Sequence, residues 1–525
     1  MRTRKTRTAA AITVIGLAAT GCGGAAGGGG AGGGAGDTVT ISIPSDPGTL
    51  SPMNTSVSIA VTMNKYAYDP LVNIAADGKV ISGLAEKWSA TPTSAEFVLR
   101  DGVTCQDGSK LTATDVAAMF NHVADPKNAA ALIGLAVPPM AKAKADDATR
   151  TITLSLESPA PFLLQMAALM PIPCKKGMAD PKGLARATDG TGPYRLDKAV
   201  PGDQYTYVRR DGYTWGPGGA KGSELPAKVV FKVVANESTA ANLLLAGQLD
   251  VAEVNGPDRQ RLDAAKIASQ APMLPLGELL FNEGKGHPTA DFAVRHALVS
   301  AVDLKQIGSV ATGGLGKPAT NLGEIAPTPC TGDTVTGNVP PHDPAKAAAS
   351  LTEAGWTKAG GVWTKDGKPL TITVPFPGTK GPRVTSAMEL MAKQWTDFGA
   401  KVTTKPIQHA TLDAILASDA WDIIWLPIAV QLPDQLIPFF DGAAPPKGQN
   451  FGHVDNPDYR RLTAKAATKP GQEGCPDWEA ANAALVKRLD VVTFVTAPKP
   501  IYAKGVAFRL EGDSIIPTSL RKTAR

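Results

Sequence analysis

The side chains with the most reactive chemistry in this 525-residue chain are five cysteines and six histidines, and their spacing decides what that chemistry can be. Cys22 follows the small pair Thr20-Gly21, an apolar stretch from Ala9 to Ala19, and a basic start holding Arg2, Arg4, Lys5 and Arg7. That order is the anatomy of an export signal over residues 1–21, cleaved just before the cysteine. The apolar stretch falls well short of the roughly 20 residues a spanning helix requires. Cleavage before Cys22 matches the bacterial lipobox, in which the cysteine thiol receives a diacylglyceryl group before the signal is removed. Ala19 stands where that motif prefers Leu, and Leu17 lies two positions earlier, so ordinary secretion with a spare thiol is the alternative. Cys105, Cys174, Cys330 and Cys475 form an even set in a compartment that permits disulfides. None has Cys-x-x-Cys spacing, which argues against zinc or thioredoxin-like chemistry and for two structural bridges, with three connectivities open.

His122, His287, His296, His342, His409 and His453 are scattered, and none forms His-Glu-x-x-His or a comparable ligand spacing. No metal site and no cofactor are expected; nickel, or a metal chelate, held by residues assembled in space is the remaining metal reading. Enzyme motifs are equally thin. Gly-x-Ser-x-Gly and a Walker loop are missing, and Ser519-Leu520-Arg521-Lys522 meets the Ser-x-x-Lys pattern only in the last seven residues, without its companion motifs. No catalytic residue is assigned, and a secreted hydrolase stands as the competing class.

The elements that would position any site begin after a run, residues 23–36, made only of Gly and Ala. Such a run buries nothing and acts as a flexible tether of about 20 Å reach. Removing the signal takes four basic residues and no acidic one, lowering the formal net charge from +5 to +1, so nucleic acid is an unsuitable partner. A hydrophobic content of 43% in a chain this long supports two or three globular domains. Val39, Ile41 and Ile43 alternate with polar residues as a strand, and further strands are expected at 96–100, 151–156, 229–234, 370–374 and 422–426. One helix is capped by Thr112 with Asp115 at its third position and ends before Pro126. Another starts near Thr289, with Val294, Leu298 and Ala301 facing inward and Arg295 and Asp303 able to reach solvent or each other's neighbourhood. A third opens on Asp343-Pro344 and stops by Gly355. The pattern is mixed α/β.

Several segments taken together resemble the peptide/nickel/opine group of extracellular solute-binding proteins, the ligand-capturing subunits of ABC importers. Residues 83–88 (GLAEKW), 97–103 (FVLRDGV) and 107–116 (DGSKLTATDV) are similar to that family's most recognisable stretch. Residues 191–194 (TGPY) with 209–216 (RRDGYTWG), and 245–250 (LAGQLD), resemble the blocks after it. Phe281-Asn282, residues 294–298 (VRHAL), Ala301-Val302-Asp303 and Asn456-Pro457-Asp458-Tyr459 look like its second half. The resemblance implies a bilobal type II periplasmic-binding-protein fold with an inserted third domain. Lobe I is placed at 37–66, 188–276 and 494–525, the insert at 67–187, and lobe II at 277–493. Pairing Cys105 with Cys174 and Cys330 with Cys475 keeps each bridge inside one of these bodies.

A monomer is expected, closing on a small solute that is oligopeptide-like, a sugar or similar, and delivering it to ABC permease subunits at the outer face of the cell membrane, where the lipid on Cys22 holds it. Peptide-binding members carry an aspartate, shortly before a Pro-Asp, that pairs with the peptide's amino group. Lined up on Pro433-Asp434, that position is Gln431, whose neutral amide lacks the opposing charge. The expected ligand-binding set is Gln431, Trp425, Ala429 and Val430 from this segment, with Ser45 and Asp46 from the loop after the first strand. Trp425 could stack on the solute or, equally, be a core tryptophan at its strand end; turn chemistry is the alternative for Ser45 and Asp46, and Trp215 would be structural.

Overall fold

In a computed structural model the described residues are 37–75, 77–407, 412–445 and 447–523. The signal, Cys22, the tether and His409 lie outside the described residues. Lobe I is built on a seven-stranded sheet whose order across the sheet is Ala268–Gln270, Ile501–Ala503, Val251–Glu253, Thr38–Ile43, Lys228–Val233, Gln204–Arg209 and Tyr194–Val200. The first strand alternates as its sequence dictates, with Val39, Ile41 and Ile43 buried. It runs parallel to Lys228–Val233 and Val251–Glu253, so the carboxyl ends of three strands share one edge of the lobe.

Residues 85–155 fold as a separate antiparallel sheet, ordered Ala85–Thr91, Ser94–Leu99, Thr151–Ser155 and Lys142–Asp146. The helix Ala113–Ala124 carries the capping box formed by Thr112 and Asp115, and it presses Val116, Met119, Phe120 and Val123 into a core with Phe97, Leu99, Ile152 and Leu154. The root of this insert explains two of the resembling blocks. Asp69, where the chain leaves lobe I, accepts hydrogen bonds from Thr191 Oγ1 (3.0 Å), Tyr213 hydroxyl (3.1 Å) and Trp215 Nε1 (3.1 Å). Arg210 lies over the Trp215 ring and donates to the carbonyls of Gly192, Thr104 and Cys105. A side chain at Gly192 would strike the Ala67 backbone, because the outgoing and returning segments pass each other there, with Gly192 N–H donating to Ala67 O at 2.9 Å. Trp215 is therefore structural, as expected.

Lobe II centres on a four-stranded sheet, Lys317–Pro318, Val491–Pro498, Met273–Phe281 and Ile423–Trp425, beside the parallel pair Thr371–Phe376 and Lys401–Pro406. Helices Phe292–Ser300, Leu304–Thr312, Pro344–Glu353 and Pro382–Phe398 cover it. Asp291, Asp303 and Asp343 cap the first three, each accepting a backbone N–H. Arg295 corrects the reading of its helix. Instead of reaching solvent it is 1% exposed, paired with Glu283 (3.1 Å) and Asp490 (3.5 Å) and donating to the carbonyls of Thr289 and Arg488. Long-range partners, not helical spacing, decide its side.

The lobe boundaries also shift. Ala268–Gln270 belongs to the lobe I sheet and Met273–Phe281 to that of lobe II; Val491–Pro498 and Ile501–Ala503 repeat the switch in reverse. The chain therefore crosses at 271–272 and 499–500, not at 276/277 and 493/494. Pro272 and Pro500 fall inside the crossings, where a residue without an N–H cannot continue a ladder. Disulfides join Cys105 to Cys174 and Cys330 to Cys475. Next to the second, the insert meets lobe II: Gly471 N–H donates to Pro161 O (2.8 Å), and the rings of Phe162 and Trp478 lie 5.9 Å apart.

Candidate ligand-binding cleft

The lobe II strand ends next to the two crossings form the floor of a cleft. Above it lies a cavity of about 870 Å³ whose floor is Leu274, Pro275, Leu276, Ala497, Pro498 and Lys499. Glu237, Glu253, Asn255, Gly256 and Arg259 form the lobe I wall, at the carboxyl ends of the parallel strands, which is where open α/β sheets place ligands. Thr312, Lys380, Gly381 and Arg383 form the lobe II wall, where the strand Thr371–Phe376 hands over to the helix Pro382–Phe398. A second cavity of about 250 Å³ shares Leu274, Pro275 and Lys380 with the first and is otherwise apolar, lined by Ile325, Pro377, Ile407, Leu412, Leu426, Pro427 and Ala429.

The carboxylates of the larger cavity are already engaged. Glu237 accepts from the backbone N–H groups of Asn255 (3.1 Å) and Gly256 (2.8 Å). Lys499 reaches Asp513 at 2.8 Å and Glu253 at 3.3 Å. Burial opposes the Lys499 charge, yet the two carboxylates together hold its ammonium above the ordinary lysine range.

The segment expected to contact solute is held from beneath by two buried acids. Glu278 accepts from Ile428 N–H (2.9 Å), and burial pushes its carboxyl up to about 8. Glu324 is likewise pushed up to about 8 by burial, accepts from Asn482 Nδ2 (3.2 Å), and forms a parallel bridge with Val430. Gly323, with φ +58°, packs so closely that a Cβ would collide with the Ile428 carbonyl.

Within this frame the expected residues separate. Ala429 is exposed and lines the apolar cavity. Gln431 is half-buried beside a crevice of about 20 Å³ shared with Ile74, Gln165 and Leu169 of the insert. Val430 is buried, its N–H donating to Gly323 O and its carbonyl accepting from Ile325 N–H. Trp425 requires correction: it is wholly buried, its Nε1 donates to Leu276 O (2.7 Å), and its ring meets Phe494 edge-on at 5.4 Å, so it cannot stack on a solute. Ser45 and Asp46 line neither cavity. Asp46 instead clamps the loop, accepting from Gly48 N–H (2.8 Å), Gly202 N–H (2.5 Å) and Tyr205 hydroxyl (2.7 Å). Sequence reasoning passed over Lys380, Arg383, Arg259 and Lys499, whose one local signal is a Gly-Pro helix start followed by an arginine. Among the described residues no three His, Cys, Asp or Glu side chains gather in a group suited to a metal ion.

Comparison with known proteins agrees with this architecture. Residues 79–444 match the model described as bacterial extracellular solute-binding proteins, family 5 Middle. The nickel-binding periplasmic protein of Escherichia coli is 30% identical over 387 residues, covering 70% of each chain. The periplasmic murein peptide-binding protein MppA of Escherichia coli is 24% identical over 465 residues, covering 81% of the relative and of this chain alike. A substrate-binding protein of Microbacterium hydrocarbonoxydans, solved with 4-hydroxybenzoate hydrazide, superposes with a TM-score of 0.70 at 25% identity, covering 93% of this chain and 100% of that one. The chain belongs to family 5 of the bacterial extracellular solute-binding proteins, the non-enzymatic solute-capturing components of ABC transporters.

Proposed function

We propose that the mature protein is a lipoprotein held at the outer face of the cell membrane by a diacylglyceryl group on Cys22, with residues 23–36 as its leash. It captures a peptide-like or other small solute between its lobes and delivers it to ABC permease subunits. The observation that carries this reading is the 870 Å³ cavity beside two short chain crossings, with one wall from each lobe. Lobes joined this way can rotate about the crossings, and a solute that touches both walls favours the closed arrangement by its differential affinity. Shape and a few polar groups select the solute, and closure gives the permease a form to read. The murein peptide-binding relative supports a peptide-like solute. Gln431, standing where peptide-binding members carry an aspartate, supports one that does not depend on a free amino group.

Small-angle scattering with a broad solute panel checks the capture step: at least one solute is expected to compact the protein, and a panel that never does so sinks the reading. Cys22→Ala is expected to release the protein from the membrane fraction into the medium; retention would remove the lipid anchor from the account. The nickel-binding relative favours a second reading, capture of a nickel complex, which calorimetry with Ni²⁺ alone and with Ni²⁺ plus histidine tests directly.

A further inference from the structure

Resting on the importer reading above, we infer that the cleft selects an organic anion, a carboxylate carried on an apolar body of about dipeptide size or larger, and does not select a solute through a positive charge. The first ground is the asymmetry of the larger cavity. Its lobe II wall carries Lys380 and Arg383 and no acidic residue. Both basic side chains are exposed, and among the described residues neither takes part in a hydrogen bond or ion pair. Arg259, on the opposite wall, keeps a buried Nε without an acceptor.

All three acids of the cavity lie off that wall, and four basic residues, Arg259, Lys380, Arg383 and Lys499, line the cavity against them. Glu237 is occupied by two backbone N–H groups, and Glu253 and Asp513 share Lys499. A cationic solute would compete with Lys499 for Glu253 and Asp513, whereas a carboxylate meets Lys380 and Arg383, whose charged groups have no partner among the described residues. The helix Pro382–Phe398 adds to the same field, since it begins at the cavity with no side-chain cap on its first N–H groups. An arginine fork or an ammonium paired with a carboxylate is among the stronger pairings available to a protein.

The second ground is that the two cavities border one another, sharing Leu274, Pro275 and Lys380. Lys380 borders both, and beyond it the 250 Å³ space is walled by Ile325, Ile407, Leu426 and Ala429. A solute whose charged end sits between Lys380 and Arg383 therefore has an apolar pouch for the rest of its body. Burying that body supplies affinity that a small hydrophilic anion would lack.

Calorimetry on the full chain with four probes tests this: N-acetyl-Leu-Phe as the acid, the same compound as its C-terminal amide, free-amino Leu-Phe amide, and N-acetyl-Gly-Gly acid. The Leu-Phe acid is expected to bind at least about tenfold more tightly than each of the others, the effect of one charge-assisted contact or of an emptied pouch. Arg383→Gln and Lys380→Gln should each weaken the acid by about tenfold and leave the residual binding of the amide unchanged. An amide or an ammonium probe that binds as well as the acid overturns the inference, as does an acid that fails to bind at millimolar concentration. Equal weakening of acid and amide by Arg383→Gln overturns it too, because the residue would then lock the lobes instead of reading charge. If a solute of another class compacts the protein while the acid does not, only this inference falls; if no solute compacts it, the importer reading falls as well.

Discussion

Lys499 donates its backbone N–H to the carbonyl of Pro272 at 2.9 Å, tying together the two crossings at the point where each strand leaves one sheet for the other. The side chain of the same residue spans Glu253 of lobe I and Asp513 at 3.3 and 2.8 Å. One residue therefore joins the crossings through its backbone and offsets part of the acidic charge beside the cleft floor through its ammonium group. The lobes are linked by so few residues that any change here acts on closure as well as on folding.

Lys499→Met keeps the length of the stem but leaves Glu253 and Asp513 facing each other without their shared cation. A loss of about 1–2 kcal/mol in unfolding free energy is expected from the uncompensated, partly buried acids, read by urea titration. Burial works against the Asp513 charge, but Lys499 holds its carboxyl below the usual range, so in the wild type this contribution is present above the ordinary aspartate pKa and fades as pH falls through the lowered one. The variant should lack that acid-side decline; an unchanged profile would mean the pair contributes nothing.

Glu278 gives the opposite sign. Burial raises its carboxyl from 4.5 to about 8, so the folded state holds a proton that the unfolded chain has lost over most of that interval. Its contribution is fully present below pH 4.5 and is lost as pH rises through about 8. Glu278→Gln is expected to match the wild type in acid and to unfold at higher temperature than the wild type above pH 8, with a flatter profile between. Glu324, raised in the same way, leaves the variant a smaller residual slope. Melting curves across this range decide it, and a wild-type profile in the variant would show that Glu278 stays ionised in the fold.

How far the sequence reached depends on the distance over which each feature is decided. The cap of Thr112 on Asp115 needs three residues and was legible. So were the alternating first strand and the helix opening on Asp343-Pro344, because propensity and period act locally. Trp425 was not: a tryptophan at a strand end suits a core or a cleft equally, and the contact that settles it, Leu276 O, is 149 residues away. Arg295 was misread for the same reason, its partners Glu283 and Asp490 being invisible to helical spacing. Lys380, Arg383 and Arg259 look like ordinary solvated charges along the chain. Only the fold brings them to one cavity and shows that the neighbouring acids are already taken.

Asp69→Ala should loosen the insert. The substitution strips the acceptor from Thr191, Tyr213 and Trp215 at a site where Tyr213 is wholly buried and Trp215 nearly so. Leaving buried donors unmatched costs about 3 kcal/mol in total if the cavity admits water to some of them. Asp69→Asn, which keeps one acceptor oxygen, should lose less. Hydrogen exchange that rises in residues 85–155 before it rises in either lobe sheet is the expected signature, and a uniform rise would show that the root does not isolate the insert.

Cys330 and Cys475 close a stretch of 145 residues within lobe II beside the contact between Gly471 and Pro161, so the bond constrains the surface on which the insert rests. In the chain-entropy account, breaking a loop of that length removes about 5 kcal/mol of constraint on the unfolded state. The native consequence is local. Pro329 O accepts from Gln472 Nε2 (3.1 Å) beside the bridge, and Trp478, which packs on Phe162 of the insert, follows Cys475 by less than one helical turn. The double variant Cys330→Ser with Cys475→Ser is therefore expected to unfold at lower urea and to expose residues 328–332 and 470–478 to exchange first. It should also scatter as a more open particle without solute, because the insert would press on a less constrained lobe II surface. Lower stability with unchanged scattering would assign the bridge to the unfolded chain alone and leave the lobe contact to Phe162 and Trp478.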